Sequence, residues 1–63
     1  MNINQAITEA TNLLKKNNIK SSKLDSEILM SKAIQKQREY VMLNLDKPLQ
    51  NESYNYFKSL IKE

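Results

Sequence analysis

Ser22-Lys23-Leu24-Asp25-Ser26-Glu27-Ile28-Leu29-Met30-Ser31-Lys32-Ala33-Ile34-Gln35 is the stretch whose reading decides the fold. Its apolar residues, Leu24, Ile28, Leu29, Met30, Ala33 and Ile34, do not form one stripe. At 100° per residue they spread over most of a helix circumference and leave a thin polar strip at Asp25 and Lys32. A helix apolar nearly all round is a central one that touches several neighbours. The spacing therefore predicts a core helix over 23–35, with Leu29 on it. Ser22 is the expected N-cap, and Asp25 follows in the first turn, where an acid favours the positive helix end.

The flanking segments supply the neighbours. Upstream, Ile3, Ala6, Ile7, Ala10, Leu13 and Leu14 recur at helical spacing within an arc of about 120°, with Thr8, Asn12, Lys15 and Lys16 opposite. This predicts an amphipathic helix over 3–17. Asn2 and Gln5 match a capping box at its start. Asn17-Asn18 stops it, because Asn tolerates the left-handed conformation better than any residue but Gly. Downstream, Tyr40-Val41-Met42-Leu43 favours strand by propensity. A lone strand cannot satisfy its backbone, and no other segment offers a partner, so a short helix is predicted over 37–43. Asn44-Leu45-Asp46-Lys47-Pro48-Leu49 is the longest connector, with Pro48 holding Lys47 extended. Asn51 is the expected cap of a final helix over 52–63. Tyr54, Phe57, Leu60 and Ile61 share one arc of it, and Tyr56 stands at the edge. Glu63 ends the chain with no C-cap and puts a carboxylate at the negative helix end. That predicts a helix cut short and a chain that is a piece of something longer. The expected fold is an all-α orthogonal bundle of about four helices in one domain over 1–63.

Composition removes several classes of function. The chain has 63 residues and no Cys, His or Gly. Without His the usual general base and the Ser-His-Asp arrangement are missing. Without Cys there is neither disulfide nor thiolate metal site. A Gly-rich phosphate loop is excluded as well. No apolar run approaches the ~20 residues of a membrane span. The opening MNINQAITEA has neither a basic nor an apolar signal region. The cytoplasm is the expected compartment.

Net charge is +3, from ten basic and seven acidic residues. Nine of the ten basic residues are Lys and only Arg38 is Arg, whereas phosphate and base readers favour Arg forks. The abundance of Lys, Asn and Ile has the look of compositional drift, and nucleic-acid binding is not expected. A helix-turn-helix reading fails too, since its second helix would be the apolar-girdled 23–35. The carboxylates Glu9, Asp25, Glu27, Glu39, Asp46, Glu52 and Glu63 show no convergent pair. Asp25 and Glu27 differ by about 200° around their helix. Tyr54 and Phe57 read as core, while Tyr40 and Tyr56 read as partly exposed. The densest positive segment is Lys15, Lys16, Lys20 and Lys23. It serves dipole complementation and solubility, or steers an acidic protein or RNA into docking.

The order of these pieces resembles the N-terminal helical domain of the HemK-type glutamine methyltransferases. The resemblance begins with Ala6-Ile7-Thr8-Glu9-Ala10-Thr11-Asn12-Leu13-Leu14. It continues through Asn18-Ile19-Lys20-Ser21 and through Leu24-Asp25-Ser26-Glu27-Ile28-Leu29-Met30, which is similar to the family's Leu-Asp-Ala-Glu-Leu-Leu-Leu string. Arg38 to Asn44, Asp46 to Leu49, and a helix with Phe57 and Leu60-Ile61 follow. Ser26 stands where Ala is typical, Asn18 where Gly is frequent, and Leu45 where Pro is common. The resemblance covers essentially the whole chain. It implies a substrate-recognition domain of an enzyme that methylates a glutamine side-chain amide of peptide chain release factors. The cofactor, S-adenosylmethionine, belongs to a second, Rossmann-like domain carrying Asn-Pro-Pro-Tyr. That motif is absent here, so the resemblance implies no catalytic, cofactor or metal residue in this chain. Its implied partners are the release factor and the enzyme's own catalytic domain, with no membrane. Lys15, Lys16, Lys20 and Lys23 are the candidate partner-binding residues. The alternatives are a free-standing helical interaction module and, below it, a small nucleic-acid binder.

Overall fold

The computed structural model describes residues 1–62. Four helices follow one another: α1 (Ile3–Lys16), α2 (Ser22–Ile34), α3 (Arg38–Leu43) and α4 (Asn51–Lys62). The all-α bundle expected from the sequence is present, with α2 at its centre. α2 packs against each of the other three helices, against α1 most extensively, and α1 also touches α4. The expectation for Glu63 lies outside the described residues.

The start of α1 accounts for every backbone donor that a helix leaves unpaired. The Gln5 N–H donates to the Asn2 side chain at 2.7 Å, and the Asn2 N–H donates to Gln5 Oε1 at 2.8 Å, which completes the capping box. The Ile3 and Asn4 N–H groups donate to the Lys47 and Leu45 carbonyls at 3.0 and 2.9 Å. The Leu49 N–H in turn donates to the Met1 carbonyl at 2.9 Å. The 45–49 connector therefore lies against the N-terminus, with an isolated antiparallel bridge between Asn2 and Pro48. Sequence reasoning treated this segment as a mere loop. Its extended bias around Pro48 is what suits it to pair with the residues before α1.

α1 and α2 end in the same way. Asn18 takes a positive φ of 63°. Its N–H donates to Lys15 and the Ile19 N–H reaches back to Leu14, a Schellman arrangement. Gln35 takes φ 58° at the end of α2, with its own N–H on Lys32 and the Lys36 N–H on Ser31. The first stop was expected from Asn17-Asn18. The second was not, because Gln has no particular tolerance for this conformation.

Several boundaries and burial expectations are corrected. α2 starts one residue early, so Ser21 is its N-cap and Ser22 is its first helical residue. α3 begins at Arg38 with Gln37 as cap, and α4 begins at Asn51, whose predicted role was the cap. The short helix at 38–43 is present, and of its residues Val41 is buried. Leu13, assigned to the core stripe of α1, is 46% exposed. It sits at the edge of that stripe, where α4 covers it only in part. In α2 the deviation is larger. Leu24 and Ile28 are exposed and Leu29 is only partly buried, while Ser22, Ser26, Glu27, Met30 and Ala33 are buried. At 100° per residue those five fall within an arc of about 140°, and Leu24 and Ile28 point away from it.

The core consists of Ile3, Ala6, Ile7 and Ala10 from α1, Met30 and Ala33 from α2, Val41 from α3 and Phe57 from α4. Leu29, Ile34, Leu45, Leu49, Tyr54, Leu60 and Ile61 pack around it. Small residues on both sides of the α1–α2 contact, Ala6 and Ala10 facing a helix with Ser26 and Ala33 buried, allow the two backbones to lie close.

Candidate docking surface

The four lysines singled out by density are all exposed. The corner between α1 and α2 brings two of them together. Lys15 and Lys20 share a shallow hollow with Asn18, Ile19 and Ser22. Lys16 turns instead toward a second hollow with Glu9, Asn12 and Leu13. Lys23 lines neither of these two. The cluster is thus a pair with two outliers spread around a helix end, where Lys15 and Lys16 also complement the negative dipole of α1.

The one ion pair among the described residues lies elsewhere. Glu27 is 4% exposed, and its Oε1 accepts from Arg38 Nε at 3.3 Å and Nη2 at 2.9 Å. Arg38 is half exposed on its side-chain surface. This pair ties α3 to α2. Sequence analysis placed Glu27 among seven carboxylates with no convergent pair, and noted Arg38 as the lone Arg and as the first residue of the 38–44 segment of the resemblance. The signal available was that same singularity, since a fork is the group best suited to a buried carboxylate. Asp25 stays at the start of α2, where its Oδ2 accepts from Ser21 Oγ at 3.1 Å. The two carboxylates do not meet, as their spacing required. The buried Ser26 hydroxyl donates to the Ser22 carbonyl at 2.8 Å, so no polar side-chain atom is left unsatisfied there.

The aromatic residues of α4 fall as its stripe predicted. Phe57 is buried, Tyr54 packs against the core and Tyr56 is exposed, and Tyr40 of α3 is exposed as well. Tyr54 adds a polar contact that periodicity does not show. Its hydroxyl donates to Glu9 Oε1 at 2.6 Å and so joins α4 to α1. That hydrogen bond favours the neutral phenol, and partial burial and the nearby carboxylate charge act the same way. The Tyr54 phenol is therefore held above its ordinary value of 10.0. Lys58 lies over the same ring, 4.7 Å from its centroid.

Beside this contact runs a groove between α1 and α4 of about 90 Å³. Ala10, Leu13, Phe57 and Ile61 form its apolar floor, and Glu9, Lys58 and Lys62 stand around it. Sequence analysis missed it because Leu13 was counted into the core. Its place at the stripe edge, next to Glu9, was the available signal.

What the described residues define is a small all-α module with a packed core, basic corners and shallow grooves. No group of three or more metal-ligating side chains gathers among them. No described helix is long and apolar enough to cross a membrane. The chain belongs to the PrmC N-terminal domain family, that of the HemK/PrmC methyltransferases, whose sequence profile matches residues 5–63. No curated protein and no solved structure matches it significantly.

Proposed function

We propose that this chain is the substrate-recognition domain of a protein-glutamine methyltransferase that modifies peptide chain release factors in the cytoplasm. The observation that carries the reading is the match to the PrmC N-terminal domain over residues 5–63. The domain acts by binding, and the methyl transfer belongs to a separate catalytic domain. The residues of this chain do not fit S-adenosylmethionine. A chain without Gly offers no close backbone turn for the cofactor. Among the described residues the most enclosed hollow holds about 90 Å³, below the ~300 Å³ of small-molecule sites, and the larger hollows, up to about 490 Å³, lie open on the surface. No step of the reaction is assigned to residues here.

Remote contacts made by such a domain hold a large substrate so that its target side chain dwells at the reaction centre. Lys15, Lys16, Lys20 and Lys23 are proposed to face an acidic surface of the release factor and to speed encounter with it. The test is steady-state kinetics of the full enzyme with and without this domain. Removal is expected to raise the Michaelis constant for intact release factor at least tenfold. Equal constants would overturn the recognition role. Calorimetric titration of the isolated chain with S-adenosylmethionine is expected to show no binding, and a micromolar dissociation constant would overturn the assignment of the cofactor to another domain. Charge reversal at Lys16 and Lys20 is expected to slow association and flatten its salt dependence, and an unchanged rate would leave these lysines only a solubilising role.

A further inference from the structure

We propose that the α1–α4 groove is an anchor site for one large apolar side chain of an acidic amphipathic helix in the protein partner. The inference deepens the recognition reading above and rests on it. Three observations carry it. The floor is apolar and unfilled: Leu13 is 46% exposed, although Ala10 and Phe57 beside it are buried. The size, about 90 Å³, suits a side chain rather than a free small molecule.

The charge around the floor is the third observation. Lys58 and Lys62 line the groove, and Lys16 lines the adjoining hollow that shares Glu9 and Leu13 with it. Among the described residues that line the two hollows, one acid stands against these three cations, Glu9, whose carboxylate already accepts the Tyr54 hydroxyl. The described lining is thus net positive, and its acid is engaged within the domain. An apolar anchor flanked by carboxylates complements both features, whereas a basic helix meets like charge. Helix-in-groove docking buries such anchors at helical spacing.

The test uses the 63-residue chain and two synthetic helical peptides with identical Leu anchors, one flanked by Glu and the other by Lys. The Glu peptide is expected to shift the amide resonances of Ala10, Leu13, Phe57 and Ile61. Leu13→Gln is expected to weaken it about tenfold. Because Leu13 is half exposed, this variant keeps its fold, which circular dichroism checks. Lys62→Glu is expected to weaken the same peptide several-fold at low salt and less at high salt. Absence of binding, equal binding of the Lys peptide, or an unchanged affinity of Leu13→Gln overturns the proposal. So do the same shifts produced by a single-stranded oligouridine. A full enzyme that needs this domain for release factor but tolerates Leu13→Gln overturns the groove and leaves the recognition role standing.

Discussion

α1 and α2 pack against each other, yet they choose their buried residues differently. In α1 every buried residue is apolar: Ile3, Ala6, Ile7, Ala10 and Leu14. In α2 three of the five are polar, Ser22, Ser26 and Glu27, beside Met30 and Ala33. Meanwhile Leu24 and Ile28 are exposed on the same helix. α1 lies on the outside of the bundle, so one face is covered and one is wet, and its stripe points to the covered side. α2 touches three helices. Small residues let neighbours approach, and a carboxylate is tolerated inside because α3 brings a guanidinium to it. Hydrophobicity ranks residues by their cost in water. It does not say which side of a central helix its neighbours occupy.

The largest test of this contrast is truncation in the core. Ile7→Ala in α1 and Met30→Ala in α2 are each expected to cost about 2–5 kcal/mol in urea melts, as buried aliphatic truncations do. Leu24→Ala is expected to cost under ~1 kcal/mol despite its apolar character. A domain of this size has little more than the larger figure to lose. If Leu24→Ala matched Met30→Ala, the burial contrast within α2 would be wrong.

Removing the partner of Glu27 comes next. Arg38→Ala leaves a carboxylate that is 4% exposed without its donors, at an expected cost of about 1–3 kcal/mol. The double variant Glu27→Met/Arg38→Met is expected to recover most of that loss, since an apolar pair carries no desolvation penalty. A double variant no better than Arg38→Ala would show that α3 is held by the charge itself.

A smaller effect, of opposite sign, is expected at the helix ends. Gln35 holds φ 58° without the help of a Gly or Asn, so Gln35→Gly is expected to stabilise by up to ~1 kcal/mol. Asn18→Gly is expected to gain less, because Asn already tolerates this region. Equal gains in chemical denaturation would mean that the second stop was as well specified as the first.

The smallest effect is spectroscopic. The Tyr54 phenol is expected to ionise above the ordinary tyrosine value of 10.0, and Glu9→Gln to bring it back toward that value in an ultraviolet titration. The shift is upward, so the contribution of this hydrogen bond is complete below about pH 10 and is lost as pH rises through the higher folded value. A phenol that ionises at the same pH in both proteins would break the α1–α4 link drawn from Glu9.

The sequence by itself determined the helix count, the capping box at Asn2 and Gln5, the stop at Asn18, the inward face of α4 and the family resemblance. These rest on neighbours within one turn or on a single covered face, which spacing reports directly. It did not determine the Glu27–Arg38 pair, the Tyr54–Glu9 contact, the pairing of residues 45–49 with the N-terminus, or the groove beneath Leu13. Each of these joins residues at least 11 positions apart. Their partners become neighbours only once helices have packed, and periodicity along one helix carries no information about where the next one lands. The same limit explains α2. Its apolar residues announced a central helix, but only the placement of α1, α3 and α4 around it decided that Ser26 and Glu27 would be inside and Leu24 and Ile28 outside.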